Sequence, residues 1–404
     1  ASFGCRFLSW NKTSKLLKGI AQRMNLGRRD FVIVAENLRI GGVQRLLIDE
    51  SYQFLAWGSN PHIVSLTSKM PGDHLPDLDE EFKPNQKLNI TYLSGNKARQ
   101  ISYFCKMMRK KESPRVFITH STTGAALLRV ASILALKKTL IILQIHQLIT
   151  LSDKRQQFKR ILYSMCANYV VFSSNQFLLE WKILIDQKKY LKHIYRKRLE
   201  FDRMGVYLPR LTSSDFEKKQ LCKSDVPHLI FLSRVTSWKG FEKFKSLTNQ
   251  YSSSEIHTLA MTASNYRKDI LNPDEFNTDK SHVIFNSSVT SLQLNLGSVH
   301  LYPSDYGPNI KHPQSIGMNV LEMISQGIPS LISKEGFESW PELRETELVK
   351  VVDWNNTEEV LRTIESSRKL SSQRRREEIE RLSEAISIED HCRRLVNLMQ
   401  SFPQ

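Results

Sequence analysis

Short, unbroken apolar runs alternating with helix-length segments constrain this chain more than any other feature. A strand buried on both faces reads as a continuous apolar run, and parallel strands need a long crossover between them, usually a helix. Phe31 to Ala35, Pro61 to Leu66, Arg115 to Ile118, Leu140 to Ile145 and Tyr169 to Phe172 are such runs, with helical segments such as Ala98 to Lys110 and Phe158 to Cys166 between them. This predicts a parallel, doubly wound sheet. A second series follows the polar stretch Arg210 to Val226: His228 to Leu232, Ile256 to Met261, His282 to Asn286, Ser298 to Tyr302, Pro329 to Ser333 and Leu348 to Val352. Two similar α/β domains are expected, an N-terminal Rossmann-like domain over 30–208 and a C-terminal one over 226–385. A basic segment over 1–29 precedes them, a hinge over 209–225 joins them, and a last helix over 386–404 is placed to pack back on the first domain.

With 404 residues, 40% apolar and 25% charged, the chain has material for two or three domains, and the collagenous and disordered classes drop out. Cys5, Cys105, Cys166, Cys222 and Cys392 are odd in number and far apart. They match neither a disulfide framework nor a metal-binding spacing, which implies a reducing compartment. The longest apolar stretch, Ala125 to Ile145, is broken by Arg129, Lys137 and Lys138, so no membrane-spanning helix is expected. The first thirty residues lack the charged, then apolar, then small pattern of a secretory signal.

The excess of 58 basic over 41 acidic residues, a net charge of +17, favours phosphate-bearing partners. Basic residues from Arg6 to Arg29 are interleaved with Phe7, Leu8, Trp10, Leu16, Leu17, Ile20 and Met24, a pattern that fits a helix lying on an anionic membrane or an ordinary surface arm. A second basic cluster, Lys188, Lys189, Lys192, Arg196, Lys197 and Arg198, surrounds Tyr190 and Tyr195.

Parallel sheets bind ligands at the carboxyl ends of their strands, where a glycine turn lets backbone approach an anion and a helix N-terminus offers free N–H groups. Gly41 and Gly42 sit at such a turn. In the second domain the strand at His228 to Leu232 runs into Arg234 and Lys239-Gly240, two cations suited to a diphosphate. Tyr302-Pro303-Ser304 ends another strand, and Ser315, Ile316, Gly317 and Met318 lead into a helix. On that helix Glu322 shares a face with Met318, from which it can accept hydrogen bonds from ribose hydroxyls.

In this order and spacing, Gly41-Gly42-Val43-Gln44-Arg45, Ser233-Arg234 with Lys239-Gly240-Phe241, and Pro303-Ser304 with Gly317 to Pro329 resemble the retaining glycosyltransferases of family 4. Met204-Gly205-Val206 is similar to the turn that precedes that family's hinge, with Met in place of Asn. The resemblance spans roughly residues 30 to 400. It implies the GT-B architecture, two facing Rossmann-like domains with a cleft between them, an acceptor-binding first domain and a donor-binding second one. It also implies a hexosyltransferase that moves a sugar from a nucleotide-diphosphate-sugar to a glycan or lipid-linked acceptor, with retention, no obligatory metal and no cofactor. The implied setting is cell-surface polysaccharide or lipopolysaccharide biosynthesis, in the cytoplasm at the inner face of the cell membrane.

On this resemblance Arg234 and Lys239 take the diphosphate, Glu322 the ribose, Ser315, Ile316, Gly317 and Met318 the donor sugar or phosphate, and Gly41 and Gly42 the same phosphates across the cleft. His146, after the Leu140 to Ile145 strand, and secondarily His120, after the Arg115 to Ile118 strand, are the candidate sugar- and acceptor-facing residues; a satisfied buried histidine is the alternative for His146. Gln314 stands where the family pattern has the first of two glutamates, so the catalytic position carries an amide that binds hydroxyls but supplies no charge. The loop from Asp305 to Pro313 is longer than the usual link.

Asp77-Leu78-Asp79 matches the metal-binding triplet of the other large glycosyltransferase fold, yet no apolar strand leads into it and no metal site is expected. The Gln314 substitution also fits a catalytically silent GT-B subunit that binds sugar nucleotide or glycan and scaffolds a partner. A nucleic-acid partner is not expected, because charge alone favours it and no recognition motif is present.

Overall fold

The fold is described from a computed structural model. It describes residues 31–38, 42–69, 88–110, 112, 114–146, 153–187, 199–202, 204–205, 226–233, 235, 239–251, 256–262, 272, 276–285, 294–304, 317–334, 340, 343, 345–383 and 385–401. The segment 1–29, the hinge, the cluster at 188–198, the Asp77-Leu78-Asp79 triplet, the loop 305–313, Gly41, Arg234, Gln314, Ser315 and Ile316 lie outside the described residues.

The first domain is a seven-stranded parallel sheet in the order β3-β2-β1-β4-β5-β6-β7. Its strands are β1 (Phe31–Ala35), β2 (His62–Ser65), β3 (Asn89–Tyr92), β4 (Val116–Thr119), β5 (Leu140–Ile145), β6 (Tyr169–Phe172) and β7 (Leu199–Phe201). The connecting helices are α1 (Gly42–Ala56), α2 (Lys97–Arg109), α3 (Thr122–Ala135), α4 (Lys154–Ser164) and α5 (Asn175–Asp186). Successive side chains of β1 point to opposite faces. Phe31, Ile33 and Ala35 pack toward α1, while Val32 and Val34 pack with Phe104, Leu128, Ile161 and Trp181 from α2 to α5.

The second domain repeats the plan with six parallel strands in the order β10-β9-β8-β11-β12-β13. They are β8 (His228–Leu232), β9 (His257–Thr262), β10 (Ser281–Phe285), β11 (Val299–Tyr302), β12 (Ser330–Ile332) and β13 (Val349–Val351). Helices α6 (Phe241–Gln250), α7 (Met318–Ser325), α8 (Thr357–Arg368) and α9 (Ser372–Leu382) belong to this half, and α10 (Ile388–Gln400) follows them. In each sheet the strand order reverses between two central neighbours, β1 and β4 or β8 and β11, which opens a crevice at their carboxyl ends.

The two halves share one apolar core. A continuous cluster runs from β1 through α1 and α10 into α7, β12 and Trp340. The final helix lies against α1, with Ile388, Cys392, Leu395 and Val396 buried, and Ser387 caps it by accepting from the Glu389 backbone N–H.

Gly205 marks a close approach of the first domain to this helix. A Cβ there would overlap the backbone of Ser387 and Ile388. We expect Gly205→Ala to lower stability by about 1–3 kcal/mol through overpacking, read as a lower urea midpoint at unchanged m-value.

Two strands depart from the sequence pattern. β3 and β7 are the sheet's edges, and their residues are only partly covered. A strand with one open side has no need of a continuous apolar run.

Candidate active site

On the second domain, the carboxyl ends of β8 and β11 bring Lys239, Tyr302 and the start of α7 together. The Lys239 ammonium donates to the Tyr302 hydroxyl at 2.8 Å and lies 5.0 Å from the centre of its ring. Gly240 follows in the left-handed region at φ 73°, and a side chain there would collide with the Pro303 carbonyl. Glycine therefore lets the Lys239 turn settle on the end of β11.

Gly317 opens α7 with no side-chain cap, so the first-turn N–H groups receive none of the usual Ser, Thr, Asp or Asn acceptors. Asn319 instead donates from Nδ2 to the Leu232 carbonyl, tying α7 to β8. A cation, a phenol hydroxyl and a helix N-terminus thus surround one point, which suits a phosphate group. The Ser304 hydroxyl beside them is buried and has no hydrogen-bond partner among the described residues.

Helix α1 of the first domain faces this site. A Cβ on Gly42 would stand 3.3 Å from Met318 Cβ and Cγ, a tight contact that Met318 would have to yield to by a few tenths of an ångström, so glycine eases the approach of α1 to α7. One turn on, Arg45 Nε lies 3.0 Å from Asp49 Oδ1 and 3.6 Å from Glu322 Oε1, joining the domains. The Glu322 side chain is only 18% exposed. Burial pushes its carboxyl up to about 7, Arg45 opposes that rise and Asp49 adds to it. Near neutral pH this carboxyl is poised between its two forms.

Deeper along α1, Glu50 accepts hydrogen bonds from Gln144 Nε2 at 2.8 Å, His391 Nε2 at 2.8 Å and His120 Nε2 at 3.3 Å. His391, on α10, is held on its other side by Asp202 at 2.9 Å, and Arg394 also binds Asp202. Burial alone would raise the Glu50 carboxyl, but His120 and His391 outweigh it and hold it well below the usual carboxylate range. Burial would likewise strip His391 of its proton; Asp202 and Glu50 reverse this and lift it to about 10.

His120 and His146 end the neighbouring strands β4 and β5 and are joined by a 2.9 Å Nδ1 to Nε2 hydrogen bond. Burial, and then His120, push His146 well below its ordinary value, so it is neutral. Because Glu50 can only accept, His120 donates to it from Nε2. His120 Nδ1 and His146 Nε2 share one proton, the donor being set by the tautomer, and His146 Nδ1 stands at the far end of this relay. That atom is buried and has no partner among the described residues. The relay from Glu50 thus ends on a ring nitrogen that can exchange a hydrogen bond with a hydroxyl such as a sugar's.

Of the residues singled out from the sequence, Lys239, Gly317, Met318, Glu322 and Gly42 gather at the α1–α7 seam, and His120 and His146 sit on the other branch of α1. Glu50, Gln144, Asp202 and His391 were not anticipated. One signal was present: Asp49 and Glu50 follow Leu46-Leu47-Ile48 on a buried helix, and buried acids require partners.

No family model and no curated protein matches the chain. Among solved structures it is similar to Anabaena Alr3699/HepE in complex with UDP-glucose, at 11% identity and TM-score 0.67, over 92% of this chain and 100% of that one. It is similar to the lipopolysaccharide outer core galactosyltransferase WaaB, at 13% identity and TM-score 0.54, over 92% and 99%. A third likeness is to an alpha-glucosyltransferase in complex with UDP and a 13-mer DNA containing an HMU base, at 14% identity and TM-score 0.65, over 93% and 100%. These likenesses establish the shared fold, the GT-B arrangement of two facing Rossmann-like domains.

Proposed function

We propose that this chain is a glycosyltransferase that moves a sugar from a nucleotide-diphosphate-sugar to a glycan or lipid-linked acceptor, with retention at the anomeric carbon and no obligatory metal. The observation that carries the reading is the convergence of Lys239, the uncapped start of α7 and Glu322 at the carboxyl ends of β8 and β11, facing α1. Three solved structures of this fold carrying UDP, UDP-glucose or a galactosyltransferase name support it.

In this reading the bond between the anomeric carbon and the diphosphate oxygen breaks, and negative charge develops on the diphosphate. Lys239, Arg234 and the first-turn N–H groups of α7, with Ser315 and Ile316 leading into it, neutralise that charge. Two side-chain cations on one diphosphate favour a departure without a metal. Glu322 accepts from the ribose hydroxyls, and His146 Nδ1 hydrogen-bonds a hydroxyl of the transferred sugar. The acceptor lies on the first domain near His120 and His146. The likeness to WaaB supports an acceptor in cell-surface polysaccharide or lipopolysaccharide assembly, at the anionic inner face of a membrane. Nucleic acid is not the acceptor in this reading, although one relative of the same fold is bound to DNA.

Thermal melting with UDP-, GDP- and ADP-linked sugars tests the donor site. A donor at 100 times its Kd should stabilise the chain by about 2.7 kcal/mol, and Lys239→Ala or Arg234→Ala should abolish the shift. No shift with any donor overturns the reading. A shift without sugar transfer or donor hydrolysis assigns a silent nucleotide-sugar-binding subunit, the alternative that Gln314 favours.

A further inference from the structure

Of the nine large apolar side chains exposed among the described residues, eight lie on three consecutive helices or at their ends, α3, α4 and α5. They include Ile133 and Leu134 on α3, Leu136 just after it, Phe158 and Leu162 on α4, and Ile183 on α5. The 158/162 spacing is one helical turn, and Ile183 has Leu179 one turn before it, so each helix carries an outward apolar stripe. The inward stripes are separate: Leu127, Leu128, Ala131, Ile161 and Trp181 fill the core beneath. Helices apolar on both sides are expected to be covered on both sides.

Leu136 is an independent sign. It is 91% exposed and takes the left-handed conformation at φ 55°, the one non-glycine residue with positive φ among those described. That helix-ending position ordinarily holds glycine or asparagine. A leucine there pays a backbone cost to project an apolar tip into solvent.

The charges around this face are mostly positive. Lys137, Lys138, Lys154, Arg155, Lys159 and Lys182 are exposed on or beside the three helices, against the exposed acids Asp153 and Asp186. Asp153 is occupied in part as the α4 cap, accepting from the Gln156 backbone N–H. An apolar face ringed by cations complements an anionic lipid surface. It does not complement itself, because a two-fold contact between copies would bring the same cations together. Among the described residues no helix is long and apolar enough to cross a membrane, so the contact lies along the surface.

We propose that the outward face of α3, α4 and α5 is the surface on which this protein rests against an anionic lipid bilayer. Helix α4 begins at Lys154, one loop after His146, so the face reaches the rim of the proposed acceptor site. A lipid-linked acceptor could then reach His146 without leaving the membrane; this last step rests on the function proposed above, while the docking itself does not.

Flotation of the full chain with vesicles tests it, using phosphatidylcholine alone or with 30 mol% phosphatidylglycerol. The unaltered chain should bind the anionic vesicles and not the neutral ones. Lys154→Gln/Arg155→Gln/Lys159→Gln should weaken binding on the order of 100-fold, at roughly fivefold per cation. Ile133→Gln/Leu136→Gln/Phe158→Gln should weaken it at least tenfold. Because these side chains are exposed, both variants should melt close to the unaltered chain.

Full binding by both variants overturns the proposal and assigns attachment to another segment, such as the basic residues of 1–29. Concentration-dependent self-association that the apolar variant abolishes, without vesicle binding, overturns it in favour of a second copy. The donor-induced melting shift should be unchanged in both variants. If no donor shifts the unaltered chain while vesicle binding follows the pattern above, the docking surface stands and the donor reading falls.

Discussion

Replacing Glu50 with alanine is expected to destabilise the fold by about 3–5 kcal/mol, the cost of breaking a buried ion pair by removing one partner. Glu50 is fully buried and takes three hydrogen bonds, from Gln144, His120 and His391. Without it, His391 keeps only Asp202, the Gln144 amide loses its acceptor, and a cavity opens beneath β4 and β5. Urea denaturation reads this directly. A loss under 0.5 kcal/mol would show that the network is not held by this carboxylate.

The same network sets the pH range of stability. An unfolded histidine loses its proton near 6.5, whereas His391 holds it to about 10 in the folded chain. Its contribution is complete below 6.5 and is lost as pH rises from there through about 10. Glu50 is depressed, so its contribution is complete above its ordinary value of 4.5 and is lost as pH falls through its folded value. His146 acts on the acid side too, because a buried neutral imidazole loses stability as pH falls below 6.5. The melting temperature should therefore decline on both sides of neutrality, and Glu50→Ala should flatten the alkaline decline.

The second large effect is expected at Glu322. Glu322→Ala should weaken donor binding about 10- to 100-fold, the range for losing hydrogen bonds to a charged acceptor. The pH dependence carries the sharper test. With its carboxyl near 7, Glu322 gains its full acceptor strength only above that value, so donor affinity should rise between pH 6 and 8. Arg45→Ala removes a cation that lowers this carboxyl, leaving Asp49, which raises it. The midpoint should then move upward, and in Glu322→Gln it should vanish. Calorimetric titration of the donor from pH 5.5 to 8.5 measures this; a midpoint that survives in Glu322→Gln belongs to another group. For stability the sign is opposite, since a buried carboxyl raised to about 7 favours the fold below 4.5 and disfavours it as pH climbs through 7.

The strand cores were legible in the sequence because burial on both faces writes itself as a run of apolar residues. The inner strands β8, β9, β11 and β12 of the second sheet carry that signature, while the edge strands β3 and β7 of the first do not, and β10 and β13, the second sheet's edges, are likewise only partly buried. Lys239, Glu322, His120 and His146 were legible as strand-end or early-helix residues, since a parallel sheet gathers ligand-binding groups there. Their partners were not. Helical spacing tells which face Glu50 or His391 occupies, but the two stand 341 positions apart and only the folded chain brings them together. Arg45 was visible as part of a glycine turn, and nothing in the turn says that it reaches a carboxylate of the other domain.

That separation has a consequence for how the chain is made. Its first domain contains Glu50, His120 and Asp202, all of which leave the ribosome long before His391 does. At ordinary elongation rates the interval between Asp202 and His391 is on the order of 10 to 40 s. Throughout that time the nascent first domain holds two buried acids without their shared cation. Completion of this domain therefore waits on the synthesis of α10, and a fragment cut at the hinge would carry the same defect permanently.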